Sequence, residues 1–402
     1  MIAKTMQITT AARSHIQRQA LIAAACGIVV MAFGFLISPE HFFRAYLVAF
    51  NFWLGIALGC LALLMLQHLT GGAWGMLLRR ILEAASRTML LLFVLSTPLA
   101  AGLSQLYVWT HSDVVAQEPE LLHKSQYLNT PGFLARAAGY FVVWMAISYL
   151  LNRWSAAQDR AGSADVADAQ RFRILSAAGL GLYGLTITFA SIDWVMSLEP
   201  LWYSTIFPPL FAVGQALSGI AFAVLVLKLL SDSAPLAELM EPSRWRDLGN
   251  LLLTFVMVWA YLSFSQFLLI WSENLPEEIP WYLYRIRGGW QWIALALVAL
   301  EFAIPFCLLL SRDVKENPRR IFAVALLVLG MRAVDLFWWV EASFPGSMLF
   351  YWLLDLAAIV GMGGIWIWYF VYQLKRQPLL PLGDPYLSEY LPELSPGETA
   401  HG

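Results

Sequence analysis

Six ionisable residues stand inside strongly apolar sequence: Asp193, Glu301, Arg332, Asp335, Glu341 and Asp355. A charge within a lipid-crossing segment costs about 2.5 kcal/mol or more, so such residues face a helix-bundle interior and mark a pathway. Three of them fall in one stretch, "GMRAVDLFWWVEASF", residues 330–344. Arg332 and Asp335 are three apart and therefore share a helix face. Asp335 and Asp355 each lie ten positions from Pro345, on the two arms of a predicted hairpin. Equal spacing places both ~10 Å below the outer surface at ~1.5 Å per residue. Glu301 counts to a middle depth on a neighbouring antiparallel helix, with Asp193 and Glu341 at the outer mouth. Two chemistries compete. Arg332 neutralises one acid and merely ties helices together, or the acids outnumber the single guanidinium and one carboxyl keeps a proton that it can pass on. The second reading makes Asp193, Glu301, Arg332, Asp335 and Asp355 a proton path. Tyr183, Thr186, Thr188, Gln215, Ser218, Ser263, Ser265 and Gln266 would extend it, although each alone is more often a helix-to-helix hydrogen bond.

Other chemistries lack their residues. The six histidines, at 15, 41, 68, 111, 123 and 401, fall in predicted loops, tails or helix ends. A membrane-embedded haem takes axial ligands from mid-helix positions, so no haem is predicted. Cys26, Cys60 and Cys307 form no CxxC pattern, so neither an iron–sulfur cluster nor zinc is predicted. There is no phosphate-binding glycine loop, and no Lys/Arg block that would suit nucleic acid. No covalently bound cofactor is expected.

The elements that position these charges are set by composition. The chain has 402 residues, 59% hydrophobic and 13% charged, against about a quarter charged in soluble domains. Apolar runs of around twenty residues recur throughout, each able to cross ~30 Å of hydrocarbon. They predict an all-α polytopic membrane protein of ten helices, near 20–37, 43–66, 86–107, 132–151, 173–193, 205–230, 247–272, 288–311, 319–342 and 348–374. Nineteen of the 25 Lys and Arg fall on one side of this layout, the side of both termini. The positive-inside rule makes that side cytoplasmic. Arg79, Arg80 and Arg87 are counted in the loop before the third helix, and Glu83 near that helix's start. Residues 1–376 form the membrane domain. Residues 377–402, with five prolines, read as an extended, non-helical cytoplasmic strap. The outer loops 108–131 and "ENLPEEIPWYLYRIR" are acidic and aromatic, fit equally for docking an extramembrane partner or for anchoring at the interface. Gly55 and Gly59, Gly179, Gly181 and Gly184, and Gly361, Gly363 and Gly364 mark places where helices can approach closely.

Several long motifs, "ASIDWVMSLEPLWYSTIF", "FSQFLLIWSENLPEEIPWYLYRIRGGW", "NPRR", "RAVDLFWW" and "PLGDPYLSEYLPEL", resemble one family. They look like the second polysulfide-reductase-type (NrfD-like, quinone-binding-type) membrane subunit of bacterial alternative complex III, a quinol:cytochrome c oxidoreductase. The resemblance covers most of the chain from about residue 45. It implies two four-helix bundles, near 43–193 and 205–342, flanked by the first and last helices, in a bacterial inner membrane. The implied partners are a sister NrfD-like quinol-oxidising subunit, a periplasmic iron–sulfur/molybdopterin-type subunit, multihaem and monohaem cytochromes c, and small membrane subunits. It implies a proton path through Asp193, Glu301 and Asp335, and a menaquinone or other quinone as the ligand that the family's name suggests. No residue constellation in the sequence singles out a quinone pocket. A proton- or sodium-coupled transporter and a purely structural anchor are the competing readings. The first is disfavoured because Pro208, Pro209 and Pro305 have no counterparts in the first half.

Overall fold

The computed structural model describes residues 10–161, 166–232, 236–344, 352–381 and 383–390. Among them the only regular structure is helical, and ten helices are long and apolar enough to cross a membrane. These are α1 (His15–Ile37), α2 (Pro39–Thr70), α3 (Ala73–Ala101), α4 (Thr130–Ala161), α5 (Ala169–Leu198), α6 (Phe207–Leu230), α7 (Pro242–Glu273), α8 (Trp290–Leu310), α9 (Pro318–Glu341) and α10 (Trp352–Leu374). An even number of crossings returns the chain to the face it started from. "Outer" below means the face opposite the chain ends.

Helices α2 and α6 are the central pair. The apolar window of α2 is wholly buried and that of α6 is 78% buried, whereas α1 and α7 bury only 22% of theirs. Large apolar side chains such as Leu36, Ile37 and Phe33 stay exposed on the periphery, where lipid can cover them. Helices α3 and α5 pack on α2, with α4 against α5; α7 and α9 pack on α6, with α8 against both of them; α1 packs chiefly on α10, which leans on α2. Close backbone approach explains why glycines stand at the crossings. A Cβ on Gly59 would lie 1.9 Å from the Gln215 carbonyl oxygen of α6, and one on Gly27 would lie 2.3 Å from Gly361 Cα of α10. Gly181 and Gly184 meet nothing within 4 Å, so those two expected packing glycines do not serve that purpose. Gly59→Ala is therefore expected to cost about 1–3 kcal/mol through overpacking. Gly181→Ala should be neutral or slightly stabilising, by up to ~1 kcal/mol of helix propensity. Thermal unfolding of the two variants in one detergent checks the contrast.

The third helix differs from its expected form. It begins at Ala73 rather than near 86, and a turn at Arg87–Thr88 joins an amphipathic first section to the apolar remainder. Arg79, Arg80 and Glu83 are buried there, not solvated in a loop. Glu83 accepts from Arg79 Nε at 3.1 Å and from Arg80 Nη1 at 2.7 Å, and Ser155 Oγ donates to it at 2.6 Å. The acids that complete this network come from afar: Asp159 pairs with Arg80, and Asp384 of the tail pairs with Arg79. The tail itself is docked. Leu379 and Leu380 are buried, and Gly383 lies so near α4 that a Cβ would sit 2.3 Å from the Gln158 carbonyl. It also holds a short helix, Leu387–Tyr390, where only extended chain was expected. Residues 391–402 of the expected strap, and Pro345 at the expected hairpin apex, lie outside the described residues.

Candidate functional site

The site is built on α8 and α9. Pro305 lies four residues after Glu301, so it offers no N–H to the Glu301 carbonyl and its ring crowds that oxygen. The helix responds by widening into a π-helical stretch, Leu297–Ala303, which holds Glu301 on its buried side. Across from it, α9 presents Arg332 and Asp335 one turn apart. All three are almost fully enclosed, at 0%, 2% and 1% exposure. Arg332 Nη1 donates to Glu301 Oε1 at 3.1 Å, and the same nitrogen donates to Asp335 Oδ2. Trp259 Nε1 of α7 also donates to Asp335 Oδ2, at 3.3 Å. Room for the guanidinium is made by Gly214 of α6, where a Cβ would lie 2.2 Å from Arg332 Nη2. The Trp339 ring sits 5.5 Å from the guanidinium carbon. Glu301 Oε2 and Arg332 Nε are buried and make no hydrogen bond among the described residues. Two carboxyls thus converge on one nitrogen of one cation, in surroundings that would charge heavily for a second negative charge.

Asp335 also belongs to the wall of a large cavity. A volume of about 750 Å³ opens in the outer half between α7, α8, α9 and the short helix Pro280–Arg285. Its walls are apolar and rich in aromatic rings, including Trp259, Phe267, Trp281, Trp338 and Trp339, and its polar groups are few: Asp335, Gln266, Ser263 and the phenols of Tyr261 and Tyr282. Tyr261, Phe264, Leu295 and Val298 on its rim are more than half exposed on the periphery, so the cavity opens sideways toward the bilayer. Apolar walls with few convergent polar groups describe a small-molecule site rather than a water channel.

The five expected path residues do not form one row. Glu301, Arg332 and Asp335 come together as expected. Asp355 does not join them: its charged neighbour is Glu341, whose own is Arg44 of α2. Asp355 sits in the first turn of α10, three residues from its first described residue, while Asp335 lies six residues before the end of α9, so counted from those helix ends Asp335 is only about 4.5 Å deeper. Asp193 is elsewhere again, at the outer end of α5 in the first half. Arg136 grips it with Nε at 3.0 Å and Nη2 at 2.8 Å, and the Tyr140 hydroxyl donates at 2.7 Å. Burial, with Asp193 adding to it, pushes the neighbouring Tyr127 phenol up to about 12, so it stays neutral at any physiological pH. An anion held by three donors is suited to fixing α4 to α5 more than to releasing and rebinding protons.

Of the polar residues expected to extend the path, Tyr183, Thr186 and Gln215 instead join helices, and Thr188 and Ser218 bond their own helix. Tyr183 bonds Gln215 at 2.9 Å, Trp144 bonds Thr186 at 2.8 Å, and Thr188 and Ser218 bond carbonyls one turn back. Only Ser263 and Gln266 reach the cavity. Sequence reasoning passed over Trp259, Gly214, Glu199 and Arg285. The indole and the glycine carry no charge to draw the eye, and the loop that holds Arg285 reads as acidic and aromatic. Among the described residues, no three His, Cys, Asp or Glu side chains gather as metal ligands.

No protein-family model matches the chain, and no curated protein matches it.

Proposed function

We propose that this chain is the proton-handling membrane subunit of a quinol-oxidising respiratory complex of the alternative complex III type, with no redox centre of its own. The observation that carries the reading is the Glu301–Arg332–Asp335 cluster, two buried acids on one guanidinium, with Asp335 in the wall of a lipid-facing cavity. The cavity fits a flat, lipid-soluble ring: its walls are apolar and rich in aromatic rings, with few polar groups, Asp335 among them. A quinol, when bound, supplies two protons and two electrons, the electrons leaving through centres on partner chains. On this chain Asp335 is the group placed to take a proton at the cavity. Arg332 Nη1 bonds both carboxyls, so a proton arriving on Asp335 releases guanidinium charge toward Glu301, and the pair can exchange which member is neutral. In this reading both termini are cytoplasmic in a bacterial inner membrane, as the distribution of Lys and Arg supports. The partners are the sister quinol-oxidising subunit, the iron–sulfur/molybdopterin-type subunit and the c-type cytochromes that the sequence motifs imply.

Purification from its native membrane in mild detergent tests the assignment. Co-purification with c-type haem and with quinol:acceptor activity is the expected result. A solitary chain that drives a solute against a proton or sodium gradient after reconstitution would overturn it in favour of a transporter.

A further inference from the structure

We infer that Arg285 is a positioning residue for the cavity, holding segment 274–289 as a hinged lid over its outer end and latching that lid to Glu199. The segment has the build of a hinged element. Its ends carry left-handed backbone, Asn274 at φ 50° on one side and Gly288 and Gly289 at φ 61° and 102° on the other. Between them Trp281, Tyr282 and Ile286 contribute cavity wall, while Asn274 to Glu277, Tyr284 and Arg287 are exposed. Three buried side chains, Trp281, Tyr282 and Arg285, tether the segment; the first two make ring contacts with Trp202, Trp338 and Phe267, and Arg285 makes the segment's ion pair.

Arg285 is fully buried although the residues on either side of it are exposed. Its Nη1 donates to the Trp281 carbonyl at 3.0 Å, within the lid. Its Nη2 donates to the Trp339 carbonyl at 2.9 Å and to Ser343 Oγ at 2.6 Å, at the end of α9. Glu199, in the link between α5 and α6, lies 2.8 Å from Nη2, and Ser343 Oγ donates to the same carboxylate oxygen at 2.7 Å. One guanidinium thus joins the lid, the helix that carries Asp335, and a residue of the first half. The guanidinium stacks on the Trp281 ring at 3.8 Å, and Trp281 in turn stacks on Trp202 at 4.8 Å. Burial lowers the pKa of Arg285 and the Glu199 carboxylate opposes that, so the latch depends on its acid. Loss of either member would free the lid to swing on its left-handed ends and admit water to the cavity.

The inference rests on the reading of the cavity as the working site, but its test does not depend on proton transfer. The full chain, with Cys26, Cys60 and Cys307 replaced by Ala, is placed in lipid nanodiscs with one reporter thiol. The reporter is either Ala260→Cys in the cavity wall or Ala325→Cys in the fully buried core of α9. A water-soluble maleimide reads opening, because its reaction needs thiolate and therefore water. Arg285→Ala is expected to raise the labelling rate at position 260 about tenfold, and the nearly isosteric Glu199→Gln about threefold. Position 325 should stay unreactive in both. Unchanged labelling at 260 in both variants would overturn the lid. Parallel labelling at 325 would do the same, since Arg285 would then merely hold the fold together.

Discussion

Asp335→Asn is expected to slow quinol-linked proton release by about a hundredfold, the loss that follows removal of a positioned acid–base group. The amide keeps the shape and can still accept from Trp259 and Arg332, so the chain should fold and assemble. What it loses is the ability to take up a proton at the cavity wall. Glu301→Gln should act at the second station and lower release to a similar extent, with the quinol-binding step little changed. Asp193→Asn provides the contrast. Its carboxylate is held by Arg136 and Tyr140 in the other half of the molecule, so that change should weaken the α4–α5 contact and leave proton release near the parental rate. Proteoliposomes carrying the assembled complex and a trapped pH dye measure all three. Parental release in both the Asp335 and Glu301 variants would refute the relay.

Arg332→Met is expected to be the most destabilising single change in the chain, by about 3–5 kcal/mol, because it leaves two buried carboxyls without their cation. The same argument predicts a reversal. The triple variant Glu301→Gln, Arg332→Met, Asp335→Asn removes every buried charge of the cluster and should recover most of that loss, while remaining inactive. Thermal or denaturant unfolding of the two variants and the parent, in one detergent at one pH, reads the difference. A triple variant no more stable than Arg332→Met would show that the cluster's role is packing rather than charge compensation. Gly214→Ala probes the cation itself, since the three atoms nearest its Cβ all belong to the Arg332 guanidinium.

Why some of this was legible in the sequence, and some not, has a physical answer. The ten helices are readable because lipid imposes one requirement, about twenty apolar residues, and each span meets it independently of the rest. Arg332 and Asp335 are readable together because helical spacing alone brings them onto one face. Glu301 was within reach because a charge in apolar sequence is conspicuous, but its π-helical setting depended on noticing that Pro305 stands four residues later. The failures share a cause. Asp355 has Glu341 as its charged neighbour, and a residue count gives depth along a helix but not the direction in which a side chain faces. Arg79 and Arg80 read as loop residues because paired arginines resemble a solvated surface, and their partners Asp384 and Asp159 come from distant sequence. Asp193 was assigned to the path when its neighbours Arg136 and Tyr140 make it a tether. The cavity was invisible because its walls, such as Trp281, Trp338 and Trp339, read as ordinary interfacial aromatics until three helices and a loop are assembled around them.

The central claim is a charge count: two carboxyls and one guanidinium are enclosed within the helix bundle, and one of the two carboxyls keeps its proton. Infrared spectroscopy of the purified protein measures that directly, through the carbonyl stretch of a protonated carboxyl and its shift in heavy water. The account predicts such a band at neutral pH in the parent, with its intensity reduced in Asp335→Asn and in Glu301→Gln. A parent spectrum that neither substitution alters would mean that both acids are ionised in the resting protein and would contradict it.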